Sequence, residues 1–481
     1  VDKKMFWAMG QKIMKSALFV KEHEKLFGFY ITNFSCGPDS FLLGYFNSAM
    51  NGKPSLTLEL DQHTADAGID TRIEAAIDII KKYRRIVKTP RRSIDKYTPA
   101  KAEFPYVYTS SGKKLHIKDQ NVEILIPSFG QMASQMAAAI LRKNDFHAKA
   151  LPILTKPELL IGKKNTSCKE CLPFINMTGA ILKYLNSRKD PEKVSVIIMV
   201  TGGGPCRLGQ YYRGYENIIE KNRIKNATMF TLTDENGYAG LGTDILLQAW
   251  KGILLTDILS DIGSMLRVTA ANPGHAMNVL NSSWKKCIAY FEGKLSIRFS
   301  SLLRFLSLSI AKIPLKANPY DIPVISLTGE IFVRRDEFSR KNIVDYFENR
   351  GFMVRITPLA EYICYGNYVV NNKLGEKKFT ILDQFKFRMV SQVQEWWEKR
   401  IKNIMFTSGV YKPEMIDVEK TINGVNHLIN ENFRGECILT VGIAMREILN
   451  DSCGVISIGP FGCMYSRMAE SILKKEMTIE G

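Results

Sequence analysis

Apolar positions along this chain recur with two periods, and the change from one to the other marks its elements. Residues 1–27 carry an amphipathic helical pattern, and a short apolar strand follows over 28–33. A helix is expected from near Pro38, a strand over 55–60 and a helix over 69–85. The stretch 86–121 is polar, holds three prolines, and reads as a linker with room for one short hairpin. From Val122 the strand–helix alternation resumes. Strands are expected at 122–127, 148–154, 194–200 and 227–232, and helices at 130–143, 173–187 and 209–223. Helical patterns dominate 243–312, and strand signals return at 322–327 and 353–356. Two long helices are expected at 383–402 and 412–430. A helix at 439–449, a strand at 455–458 and a helix to Lys475 close the chain. Alternation of this kind predicts an α/β fold with Rossmann-like parallel-sheet subdomains and long covering helices.

One pattern occurs twice. Phe29–Cys36 and Ile456–Cys463 each follow a helix, run as a short apolar strand, place Phe two residues before Cys, and lead into a helix. Phe34 matches Phe461, and Ser35 matches Gly462. This repeat divides the chain into the C-terminal part of a first unit (1–85), a linker (86–121), an α/β subdomain (122–275) and a second α/β-helical subdomain (276–481). The first residues lack an initiator Met and a signal-peptide pattern and read as the inside of a helix. A fragment of a longer polypeptide, or a cut start, is the expectation.

Composition narrows the class. Hydrophobic residues make up 45% and charged residues 24%, which is ordinary for a folded protein. No run of about 18 apolar residues suggests a transmembrane helix. The 9 cysteines are odd in number and scattered, which argues for a reducing cytoplasm over a disulfide framework. The net charge of +18 admits an anionic partner, and the densest basic run, 81–92, reads first as a solvated helix end and linker. No recognisable nucleic-acid module accompanies it, so nucleic acid is not the expected partner.

Four cysteines stand at expected strand-to-helix junctions beside Gly or Pro: Cys36, Cys171, Cys206 and Cys463. Backbone N–H groups at a helix start favour a thiolate or an anionic cluster. Gly37, Gly204, Gly459 and Gly462 leave room for N–H groups to reach the sulfurs. The wide separation of Cys171, Cys206 and Cys463 suits three loops at one end of a parallel sheet, and a metal site, a Cys168–Cys171 redox dithiol and structural cysteines all remain open. Arg207 either balances an anionic cluster or substrate, or forms a surface ion pair. Cys287, Cys364, Cys437 and Cys453 read as packing residues. The loop with Glu59, Asp61, His63 and Asp66 is read first as helix capping, with Thr64 or Asp66 as the cap, and second as a metal or acid/base patch. The segment 234–242 is an ordinary Gly-rich connection or a loop facing the same cleft. Trp396 and Trp397 are expected in a core.

Taken jointly, Phe34–Phe41, Glu59–Gly68, Lys169–Phe174, Gly204–Tyr211, Glu235–Gly240, Leu327–Ile331 and Gly459–Cys463 make the chain resemble the activase-related, 2-hydroxyacyl-CoA dehydratase-like family over nearly its whole length. Relatives within that family are the 2-hydroxyglutaryl-CoA dehydratase and benzoyl-CoA reductase subunits and the double-cubane cluster proteins. The resemblance implies an oxygen-sensitive iron–sulfur cluster, [4Fe-4S] or double-cubane, in a cleft at strand-to-helix loops. It implies low-potential electron transfer driven by an ATP-hydrolysing activase, in many relatives upstream in the same polypeptide. Carried over, Cys171, Cys206 and Cys463 match the cluster cysteines of one unit, Cys36 matches the last cysteine of a preceding unit, and Cys168 is a secondary candidate. Direct action on a CoA thioester, as a reductase or a dehydratase-like lyase component, is the alternative, and binding of an anionic partner the next. A dimer is compatible with the reading.

Overall fold

The alternation of apolar strands and amphipathic helices folds as an α/β protein in the computed structural model. The structure describes residues 5, 7–33, 37–61, 66–86, 97–201, 204, 206–232, 241–374, 381–450 and 452–479. The chain begins with α1 (Ala8–Glu22), β1 (Gly28–Thr32), α2 (Asp39–Met50), β2 (Ser55–Glu59) and α3 (Asp66–Ile86). Three short strands follow, β3 (Lys101–Glu103), β4 (Tyr106–Tyr108) and β5 (Lys114–His116). Next come β6 (Val122–Ile126), α4 (Gln131–Lys143), β7 (Ala148–Ala150), α5 (Lys156–Asn165) and α6 (Leu172–Ser187). The alternation continues through β8 (Val194–Val200), α7 (Tyr211–Lys221) and β9 (Ala227–Leu232). Three helices follow, α8 (Thr243–Thr269), α9 (Pro273–Phe291) and α10 (Phe299–Ala311). Then come β10 (Val324–Gly329), α11 (Ile331–Arg335), α12 (Ile343–Glu348), β11 (Met353–Ile356), α13 (Leu359–Asn371) and α14 (Ile381–Phe406). The chain ends with α15 (Val418–Asn423), α16 (Glu436–Asn450), β12 (Gly454–Ile458) and α17 (Met464–Ile479).

By its contacts the chain forms two compact units, each discontinuous in sequence. The first is Val1–Ile117 with Lys156–Ala239, and the second is Lys118–Thr155 with Gly240–Gly481. In the first, β1 pairs in parallel with β2, from Gly28↔Ser55 to Thr32↔Glu59. β8 pairs in parallel with β9, from Ser195↔Ala227 to Val200↔Leu232. Val194, Val196 and Ile197 on β8 are fully buried, as a continuous apolar run requires in a parallel strand covered on both faces. The expected linker holds a three-stranded antiparallel meander, β3-β4-β5, instead of a single hairpin. Asn226 fastens it: its Oδ1 accepts from the Ser110 N–H at 2.9 Å, and its own N–H donates to Ser110 Oγ at 2.9 Å.

In the second unit β11, β10 and β12 form a parallel sheet with β10 in the centre. β6 pairs in parallel with β7. The long helix α8 spreads apolar residues around most of its circumference and is buried through Leu254, Leu255, Ile258, Leu259, Ile262 and Leu266. Two expectations are corrected here. The helix expected at 412–430 is only α15, because Pro413 cannot supply an N–H to a helical turn and the chain leaves the helix at Gly424. Trp396 is 53% exposed while Trp397 packs on the core, since neighbouring helix positions point about 100° apart and both rings cannot face inward. No described helix is long and apolar enough to cross a membrane.

Candidate functional site

The connections of the first unit that carry or flank the candidate cysteines are held by named side chains. The one with Cys171 joins α5 to α6, helix to helix, and not a strand to a helix as expected, because the chain over 156–165 is helical. At the first, Asp39 opens α2, and its carboxylate accepts from the Tyr30 hydroxyl at 2.9 Å and the Thr32 hydroxyl at 2.6 Å. These bonds tie the end of β1 to the start of α2 across the Cys36 loop. Burial, reinforced by Asp39, raises the Tyr30 phenol's pKa. Ser40 Oγ donates to the Gly37 carbonyl at 2.8 Å. Phe34, Ser35 and Cys36 themselves lie outside the described residues, as do His63, Thr64 and 233–240.

Arg207 joins three of these connections. Its Nη1 donates to Ser40 Oγ at 3.0 Å and reaches the Lys169 carbonyl at 3.5 Å. Lys169 in turn forms an ion pair with Glu59, the last residue of β2. The flanks of the Cys36, Cys171 and Cys206 loops and the end of β2 therefore meet in one place. Of the two readings open for Arg207, the geometry adds a third: it is an internal brace.

Aromatic packing fixes the helices behind these loops. Phe41 of α2 lies 4.9 Å from Phe174 of α6 and 5.7 Å, stacked, from Tyr211 of α7. Phe174 stacks on Tyr215 at 4.6 Å. The Tyr45 hydroxyl donates to the Gln210 carbonyl at 2.8 Å. Gly214 is required in this cluster, since a Cβ there would meet the Phe174 ring at 2.6 Å. The first turns of α2, α6 and α7 are thereby brought together, each preceded by a cysteine.

Cys171 is buried and is the N-cap of α6, with extended backbone (φ −61°, ψ 145°) and Pro173 in the first turn. Cys206 is half-buried and caps the short 3₁₀ turn Arg207–Gln210 that runs into α7. Both therefore stand at the electropositive ends of helical segments. Burial raises the Tyr215 phenol, and the neighbouring Cys171 adds to that rise. Gly204 has φ +98°, a conformation that favours glycine. Cys168 is exposed, has φ +62°, and donates its thiol to the Lys163 carbonyl at 3.4 Å.

Cys463 belongs to the second unit and has different neighbours. It follows β12 and leads into α17, with Gly462 at φ +74° before it. The β10 end packs on the same turn: the Glu330 N–H donates to the Ile458 carbonyl at 2.8 Å. Gly459 has no room for a Cβ, which would meet Ser466 Oγ. Burial pushes the half-buried Cys463 thiol up, against two Ser466 hydrogen bonds that favour the thiolate. The carboxyls of Glu330 and Glu436 oppose ionisation further. Cys437 is pushed up to about 12, first by burial and then by Cys463. Glu436 is thus a neighbour of the candidate cysteine that sequence reasoning did not single out, while Glu330 entered only within the Leu327–Ile331 motif and Cys437 only as a packing residue. Glu330 could have been suspected, because it follows a strand directly and caps α11 by accepting from Phe332 and Val333 N–H.

The other cysteines divide. Cys287 and Cys437 are buried, as packing residues should be, and Cys364 is half-buried. Cys453 is exposed, contrary to the packing expectation, because it lies in the turn before β12 and its thiol donates to the Val324 carbonyl at 3.1 Å. No described cysteine forms a disulfide. Among the described residues no group of three or more His, Cys, Asp or Glu is gathered as a metal site.

The donor chemistry nonetheless suits an iron–sulfur cluster. In the first unit, thiols at helix starts with cationic Arg207 and Lys169 beside the Cys171 and Cys206 loops are what a thiolate-bound anionic group requires. Comparison of the chain with models of protein families, with curated proteins and with solved structures returns no match.

Proposed function

We propose that this protein holds an iron–sulfur cluster on thiolates drawn from Cys171, Cys206 and Cys36 of its first unit, with Cys463 a separate candidate ligand in the second, and serves low-potential electron transfer, reduced by an ATP-hydrolysing activase. The observation that carries this reading is the meeting, through Arg207 and the Phe41–Phe174–Tyr211 cluster, of three cysteine-bearing loops in one unit. When bound, such a cluster supplies one-electron chemistry at a potential set by hydrogen bonds to sulfur and by burial.

The chain's own residues have separable tasks in this reading. The starts of α6 and of the 3₁₀ turn place Cys171 and Cys206 beside backbone N–H groups that have no intrahelical partner. Ser466 donates to Cys463, which offsets part of the cost that burial and Glu330 impose on its thiolate. Arg207 keeps the loops in register while placing positive charge beside them. The buried aromatic layer of Phe174, Tyr211 and Tyr215 excludes water from behind the loops.

The test is anaerobic reconstitution with iron and sulfide, followed by quantification of both. Cys171→Ala, Cys206→Ala and Cys463→Ala should each lose bound iron, while Cys287→Ala, a buried residue away from these loops, should keep it. A wild-type protein that stays colourless and iron-free after reconstitution would sink the proposal. Activity on CoA thioesters with activase and reductant, assayed on the reconstituted protein, separates a carrier from an enzyme.

A further inference from the structure

The second unit contains a pair of neighbouring cavities of ≈ 50 Å³ and ≈ 140 Å³. Asp261, Arg355, Tyr411 and Lys412 line both. Five carboxylates line the smaller one, and four have cationic partners. Asp257 lies 2.7 Å from Arg335, Glu361 3.5 Å from Arg446, and Glu447 3.4 Å from Arg355 and 3.3 Å from Arg446. Glu414 approaches Arg355 and Arg446 at 3.4 Å and 3.5 Å. Asp261 is the exception: among the described residues no hydrogen bond or ion pair engages its carboxyl.

The charges around Asp261 determine what can meet it. Arg355, Arg335 and Lys402 act on it attractively and Asp257 repels it, yet none of these cations lies within ion-pairing distance. A space of ≈ 140 Å³ exceeds what one bridging water fills, at about 10–15 Å³ per water. A purely cationic ligand would be repelled by Arg355, Lys402 and Lys412, and a purely anionic one by Asp257, Asp261 and Glu361. A molecule with both charges meets an opposite charge on either wall, with Arg355 keeping its Glu414 and Glu447 contacts. The rest of the larger cavity is apolar, with Met265, Ile322, Val324, Met353 and Val410. It reaches the surface at Tyr320 and Lys412, both exposed.

We propose that this double cavity binds a small zwitterion of the α-amino-acid class with a short apolar side chain, its ammonium on Asp261 and its carboxylate on Arg355 and Lys412. The proposal uses the second unit alone and does not depend on the iron–sulfur reading.

The experiment is calorimetric titration of the full chain, under anaerobic conditions at pH 8, with L-alanine, L-valine and L-leucine. Isobutylamine, lacking the carboxylate, and isovalerate, lacking the ammonium, are the comparison probes. At least one amino acid should bind, and both truncated probes should bind at least about tenfold more weakly, the loss expected for one charge-assisted contact. Asp261→Asn, which preserves shape, should weaken the amino acid by about tenfold or more, and Lys412→Ala at the exposed mouth should do so without affecting the fold. No heat with any of the three amino acids overturns the proposal. So does equal binding of a truncated probe, or affinity unchanged in Asp261→Asn.

Discussion

Replacing Gly179 by Ala should loosen the helix pair that presents Cys171. α5 and α6 cross with their backbones in contact at two glycines. A Cβ on Gly179 would overlap the Glu158 carbonyl oxygen and stand 2.5 Å from its carbon and 3.0 Å from the Gly162 nitrogen. A Cβ on Gly162 would overlap the Ile175 carbonyl in the same way. Ordinary contact begins at 3.4 Å, and the obstructing atoms are backbone, so no rotamer change relieves the clash. The helices must part by about 1–2 Å, in an interior packed as densely as an organic crystal. Overpacking costs about 1–3 kcal/mol when side chains can adjust. Here the backbone must move, Glu158 is 4% exposed, and its carboxylate is held by Lys183 at 2.5 Å, so about 3 kcal/mol is expected. Gly44→Ala is the control. Nothing lies within 4 Å of a Cβ on this α2 glycine, and about 0.5–1 kcal/mol should be gained from helix propensity. Urea unfolding followed by far-UV circular dichroism should give opposite shifts for the two variants. A Gly179→Ala midpoint equal to or above the wild type would refute the close-approach argument. Because Cys171 caps the same helix, the variant should also lose reconstituted iron while remaining folded in the absence of urea.

Other consequences are as direct. Burial raises Asp261 from 3.8 to about 7, Glu361 from 4.5 to about 7 and Glu436 from 4.5 to about 8. The folded state then holds protons that the unfolded chain has released above about pH 4, so this stability is complete below that pH and is lost as pH rises through 7. The urea midpoint should fall between pH 5 and 8.5, less so in Glu361→Gln, and a flat profile would contradict these shifts. Lys53→Met should destabilise by about 1–3 kcal/mol, since the ammonium serves the carbonyls of Val20, Lys21 and His23 at the end of α1, at 2.6, 3.3 and 2.5 Å. A thermal melt unchanged by that substitution would show the carbonyls to be satisfied by water. Arg207→Lys keeps the charge but is the shorter side chain and falls short of the point between Ser40 and Lys169 that Nη1 reaches, so iron content should drop well before thermal stability does. Full iron loading in that variant would reduce Arg207 to a surface cation.

Much of the α/β architecture was legible because its strands are short apolar runs bounded by turns. β8 and β11 lie at the expected residues, and α4 and α6 start within one residue of expectation. What escaped is local chemistry that competes with periodicity. The strand expected at 148–154 ends at Ala150, two residues before Pro152, whose missing N–H cannot join a ladder. α13 was missed because its pattern, with Glu361 and Tyr365 both buried, mixes polar residues into the covered face. That burial depends on Arg446, 85 residues away, which no local window contains.

The candidate site divides along the same line. Gly and Pro beside a cysteine are visible in sequence at Gly204-Pro-Cys206 and at Gly459-Pro-Phe-Gly-Cys463, and the repeat aligns Cys36 with Cys463. Their surroundings are not alike. Lys169 and Arg207 flank the loops of Cys171 and Cys206, whereas Glu330 and Glu436 face Cys463. Glu436 is 27 residues from Cys463 in sequence and Glu330 is 133, and both reach it only because β10 is central in its sheet and pairs with β12. A repeated motif therefore specifies where a thiol leaves a strand, while the sheet order decides which charge it meets. The cysteine loops of the two units therefore have opposite electrostatic surroundings, and substitutions at Arg207 and at Glu330 should act with opposite sign, each on the thiols of its own unit.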